Sequence, residues 1–138
     1  MRASKRATRK TSHALMTKLC RRLVVEIRDQ NKCQKCGSSG IKQSVHWAHI
    51  KNRKAKSLVF VPWASLALCA AHHFWFDSHK GSLARPGEGL QWWMDKFPDR
   101  ALALKAWEHK RNKPKLDREI ERLWLESELK RLLPREGR

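Results

Sequence analysis

Carboxylates are scarce over the first half of this chain: before Asp77 the only acidic residues are Glu26 and Asp29. The formal net charge is +18 and the isoelectric point about 10.6, well beyond what solubility requires. A field of that sign concentrates polyanions, of which nucleic acid is the obvious one. A basic run can also be no more than a solvated face, so the charge alone does not establish a partner. Also missing is any apolar stretch long enough to cross a bilayer, and Met1 to Lys10 has no apolar segment of the secretory kind. The expectation is a cytoplasmic protein without a membrane partner. Four cysteines in a reducing compartment are not expected to form a disulfide framework. There is no internal repeat and no extended low-complexity tract. With 138 residues and 16.2 kDa, one domain with extensions is expected, its modest core helped by a staple.

What is present divides into three stretches. Residues 1–12, with Arg2, Lys5, Arg6, Arg9 and Lys10 and no acid, read as a flexible basic arm for phosphates. Residues 13–110 read as the domain. Within it Leu15, Leu19, Leu23 and Ile27 recur at helical spacing from about Thr11 to Asp29, with Cys20 on the same face as a buried small hydrophobe rather than a ligand. A short strand is expected over Ser44 to Ile50, a basic loop over Lys51 to Lys56 and a second strand over Leu58 to Val61, interrupted by Pro62. Helices follow over Ala70–Ser78, Leu90–Phe97 and Asp99–Lys110. Residues 111–138 read as a C-terminal helical extension. Its helix, from about Leu116 to Leu133, is apolar on more than one side, so it is expected to pack on the body and on a second copy, giving a homodimer.

Cys33-x-x-Cys36 is followed some thirty residues later by Cys69-Ala-Ala-His72. Two such tight turns deliver the four soft ligands that tetrahedral zinc needs. A structural zinc bound there would pin the two strands where core residues are few. Zinc knuckles serve binding modules as readily as enzymes, so the histidines beside them carry the functional question.

His46 and His49 lie three apart on the first strand and point to opposite faces. His73 follows His72 on a helix, where neighbours diverge by about 100°, so His72 can face the zinc while His73 addresses another site. Asp77 is one turn beyond His73. A divalent ion held by His46, His73 and Asp77 would keep positions open for a phosphate oxygen and water, with His49 as general base. His79, just past Asp77, is read as a surface residue. Trp47 and Trp63 are read as base-stacking candidates, and Trp75, Trp92, Trp93, Trp107 and Trp124 as packing residues.

The run Cys33-x-x-Cys36-Gly37, then Ala48-His49-Ile50, then Arg53, then Leu68-Cys69-x-x-His72-His73 resembles the HNH (ββα-metal) endonuclease superfamily. It is similar above all to the phage NinG/Rap-like recombination endonucleases, over about four-fifths of the chain. The resemblance implies an α+β fold: a small zinc-stapled ββα-metal core flanked by an N-terminal helix and C-terminal helices. It implies that His49 activates water against a phosphodiester, that His73 ligates a catalytic Mg2+, Mn2+ or Ni2+, and that Arg53 neutralises the scissile phosphate. Products would carry 5′-phosphate and 3′-hydroxyl ends. Lys51, Arg53, Lys54 and Lys56 would hold DNA, with affinity falling as salt rises.

Two departures from the family pattern stand out. Its middle Asn falls near Ala64 or Ser65, neither of which offers a two-sided amide. Ala48 stands where a ligand usually precedes the base, so His46 must substitute. The expected function is a metal-dependent DNA endonuclease, nicking or cutting branched DNA in phage recombination or packaging, in the cytoplasm of a bacterial host with the phage proteins of those processes as partners. The alternative is a non-catalytic zinc-stabilised nucleic-acid-binding module.

Overall fold

The computed structural model describes residues 12–39, 44–51, 55–110 and 117–133. Helix α1, His13–Arg21, starts where the Ser12 side chain accepts the Leu15 N–H at 3.2 Å, supplying one of the partners a helix start lacks. It runs on as a π-helix, Arg22–Arg28, that buries Leu23, Val24 and Val25 in succession. The wider turn appears as the Asp29 N–H bonding back to the Val24 carbonyl at 3.0 Å. Gln30 and Asn31, both at positive φ, end it. The continuous helix expected to Asp29 is thus an α–π composite.

Strands β1, Val45–His49, and β2, Ser65–Cys69, form a two-stranded antiparallel sheet with Trp47 opposite Ala67 and His49 opposite Ser65. The first strand lies where the sequence placed it. The second does not: Lys56–Leu58 and Pro62–Ala64 are short 3-10 turns, and the strand begins only at Ser65. All five β2 residues are buried, because both faces of the sheet are covered. On one face Val45, Trp47 and Ala67 pack with Met16, Cys20, Val24 and Phe60; on the other Ala48, Leu66 and Leu68 pack with Phe76, Trp93 and Leu104. Burial also pushes the Cys20 thiol up to about 12, as befits the inert hydrophobe read from sequence.

The outer edge of β2 is closed by an ion pair. Arg28 clasps Asp29 through two bonds of 2.9 and 3.1 Å, and donates to the Pro62 and Ser65 carbonyls at 2.7 Å each. Asp29 accepts the Ala67 N–H at 2.9 Å, and the Gln34 N–H meets the Ala67 carbonyl at 3.0 Å. The outward Ser65 carbonyl and both outward backbone groups of Ala67 are therefore satisfied within the molecule. Removing one member of such a pair leaves the other charge buried alone, which costs about 3–5 kcal/mol.

Directly after β2 comes α2, Ala70–Ser78, then α3, Glu88–Lys96, α4, Pro98–His109, and α5, Arg118–Leu132. Helix α5 is capped by Asp117 and buries Leu125 and Leu129 against α1 and the π-helix. The fold is thus mixed helix and sheet, and no helix among the described residues is long and apolar enough to cross a membrane.

Candidate metal centre and histidine pair

The Cys33 to Cys36 turn is a knuckle in its backbone. The Gly37 N–H bonds the Cys33 carbonyl at 2.8 Å, the Cys33 N–H bonds the Ser38 carbonyl at 2.9 Å, and Gly37 sits at φ +76°, where a side chain would be strained. The second turn is the junction of β2 and α2, which carries Cys69 and His72. Together they bring the ligand atoms of Cys33, Cys36, Cys69 and His72 within 4.8 Å of one another. His72 Nδ1 lies 3.3 Å from Cys69 Sγ and 3.5 Å from Cys33 Sγ, and the Cys36 and Cys69 sulfurs are 3.9 Å apart. A tetrahedral zinc, with bonds of about 2.3 Å to sulfur and 2.0 Å to nitrogen, sets its ligands roughly 3.5–3.8 Å apart. Donor set and spacing are compatible with a zinc ion.

The four ligands differ in setting. Cys33 and Cys69 are buried, and burial pushes the Cys69 thiol up. Cys36 is exposed, with the Ser38 hydroxyl 2.9 Å from its sulfur, and that hydrogen bond lowers its thiol to about 6. The sequence reading missed Ser38; its position two residues after the second cysteine is the only signal there was.

Next to the knuckle, His46 of β1 and His73 of α2 meet with their Nδ1 atoms 3.0 Å apart. Asp77 contacts His73 on the other ring nitrogen, Nε2, at 3.2 Å, and Lys80 reaches the same carboxylate at 3.0 Å. This corrects one expectation. Asp77 shares a helix face with His73 as read, yet it backs the ring instead of joining His46 as a co-ligand. A carboxylate there accepts from Nε2–H and so turns the Nδ1 lone pair of the neutral ring outward. Two nitrogens 3.0 Å apart fit neighbouring positions on an ion with bonds of about 2.1 Å at right angles, and imidazole donors suit nickel better than magnesium.

His49 lies on the other face of β1. Its ring centroid is 4.2 Å from that of Trp47, it is 7% exposed, and its Nε2 lies 3.0 Å from the Val59 carbonyl. A carbonyl only accepts, so Nε2 carries the hydrogen, and in a neutral ring the lone pair is then on Nδ1. The opposite orientation of His46 and His49 agrees with strand alternation.

Other expected contributors are scattered. Lys51 is ion-paired with Glu108 and lies 5.9 Å from the Trp107 ring centroid. Arg53 and Lys54, like residues 1–11 of the basic arm, lie outside the described residues, as does the side chain of Lys56. His79 bonds back to the Trp75 carbonyl of its own helix at 2.8 Å. Trp47 is buried in the core, so it offers no stacking surface. Trp124, expected to pack, is 47% exposed. Ala64 and Ser65, at the place of the family's Asn, are buried, and Arg28 grips the Pro62 and Ser65 carbonyls on either side of that turn. Sequence reasoning gave Arg28 no such task.

No protein-family model, curated protein or solved structure matches this chain.

Proposed function

We propose that this chain is a metal-dependent DNA endonuclease with a structural zinc in the knuckle. The observation that carries the reading is the meeting of His46 and His73 at 3.0 Å, with Asp77 and Lys80 behind, on the helix that leaves the four-ligand cluster. The order strand, strand, helix, with a histidine on the first strand and another on the helix, is what the resemblance to HNH endonucleases leads one to expect. That resemblance also suggests phage recombination or packaging as the setting, and a bacterial cytoplasm as the place.

His46 and His73 would hold a divalent ion such as Mg2+, Mn2+ or Ni2+, which when bound stabilises negative charge developing on a phosphodiester. Asp77 keeps His73 in the ligating tautomer. His49, its Nε2–H held by Val59, takes the proton of the attacking water on Nδ1. Within the described sheet β1 has one strand neighbour, so a DNA strand running along its other edge would meet His49 from one face and the histidine pair from the other. Arg28 would brace the turn at Pro62–Ser65, where the family's Asn would fall, by donating to two carbonyls at once. The +18 charge supplies sequence-independent affinity.

One observation favours a second reading. His49 is almost fully enclosed and faces away from the pair, which suits a clamp on the turn before β2 in a non-catalytic zinc-stabilised nucleic-acid-binding module. Cleavage of supercoiled plasmid, nicked duplex and four-way-junction DNA with Mg2+, Mn2+ and Ni2+ decides between them. The nuclease reading expects nicking that His49→Ala abolishes with zinc content unchanged. DNA binding without cleavage under any of the three ions assigns the chain to the second.

A further inference from the structure

Helix α5 has two apolar faces, and only one of them is covered. Leu125 and Leu129 are buried at 0% and 6% exposure, whereas Ile120, Leu123 and Trp124 stand 65%, 55% and 47% exposed. These three lie at spacings of three and four and so form one contiguous patch. Beside it a recess of about 300 Å3 is lined by Val61, Pro62, Trp63, Ile120, Glu121 and Trp124. Large apolar side chains clustered around a recess mark an interaction surface.

Charge and composition narrow what covers it. Over residues 117–132 five acids, Asp117, Glu119, Glu121, Glu126 and Glu128, face four bases, Arg118, Arg122, Lys130 and Arg131. Glu119 pairs with Arg122 at 3.4 Å and Glu128 with Arg131 at 2.7 Å. A near-neutral helix in a chain of net charge +18 is a poor seat for DNA. It is also the surface on which two such cations can meet, since repulsion from more distant charges fades over about 8 Å at physiological salt. The chain's own remaining stretches do not suit the recess. Residues 1–11, 40–43, 52–54, 111–116 and 134–138 contribute only Met1, Ile41 and Leu116 as large apolar side chains.

We propose that α5 is a homodimerisation element, with the Ile120, Leu123 and Trp124 face and the recess at Trp63 packing on the same face of a second copy. The patch supplies both projecting side chains and a hollow, as a self-complementary two-fold contact requires. This holds whether or not the chain cuts DNA.

Sedimentation velocity of the full zinc-loaded chain, without DNA and up to roughly 100 µM, tests it; a micromolar dimer would be saturated there. The expected mass is twice 16.2 kDa, falling to one copy in Ile120→Lys and in Leu123→Glu. Both positions are more than half exposed, and circular dichroism with zinc content verifies their folding. Should one variant misfold, the other decides. A parent that stays monomeric over this range, or folded variants that remain dimeric, overturns the proposal.

Discussion

His72 and His73 are neighbours in the chain and belong to two different side-chain groups. His72 joins three cysteines in a cluster whose four donors lie within 4.8 Å of one another. His73 meets one other histidine, and its second nitrogen is taken by Asp77. The first donor set offers four soft ligands, as in sites that hold a fold; the second offers two nitrogens, and the proposed function requires that substrate and water complete the shell of an ion bound there. One turn of helix, sending adjacent side chains about 100° apart, separates the two.

The contrast can be broken at either pocket. Chelating the zinc should have the largest effect. Zinc bound in structural knuckles contributes on the order of 10 kcal/mol or more, so a strong chelator should abolish the cooperative thermal transition followed by circular dichroism, with one zinc released per chain. Retention of that transition would mean that the knuckle is dispensable.

Asp77→Asn should act on the other pocket alone. Loss of a carboxylate behind a ligating histidine lowers metal affinity by roughly 10–100-fold. Calorimetric titration of the zinc-loaded protein with Ni2+ should show that loss with the melting temperature unchanged. An equal loss of zinc would show that the two pockets are not independent.

The smallest effect is expected from Ser38→Ala. The Ser38 hydroxyl lowers Cys36 from its ordinary value of 9.0 to about 6, and zinc binds the thiolate. Without that bond protons compete with zinc more strongly between about pH 6 and 9, so competition with a chelator should reveal weaker zinc binding near neutrality. Above pH 9 the variant and parent should converge. A difference that grows with pH would have the wrong sign.

How far these pockets could be read from sequence depended on what each pattern encodes. Paired C-x-x-C and C-x-x-H turns specify backbone and donor together, so the cluster was legible in full. Strand alternation put His46 and His49 on opposite faces, but helical spacing could not say which ring nitrogen of His73 Asp77 would meet. β2 was misplaced for a physical reason: Ser-Leu-Ala-Leu-Cys is buried on both faces and shows no alternation, whereas Leu58 to Val61 is apolar because its turn is buried. The last helix was readable as two-faced. Which face the body covers depends on α1 and the π-helix, and Leu125, not the adjacent Trp124, proved to be the inward residue. Arg28 and Asp29 were invisible as a brace because the backbone groups they hold lie more than thirty residues away.

The most direct test of the two-pocket account is a crystal of the zinc-loaded protein soaked in Mn2+, with anomalous scattering recorded for each metal. The account predicts zinc among Cys33, Cys36, Cys69 and His72, and manganese bonded to Nδ1 of both His46 and His73, with Asp77 on the far side of the His73 ring. Imidazoles still bonded to each other, with no manganese peak beside them, would contradict it.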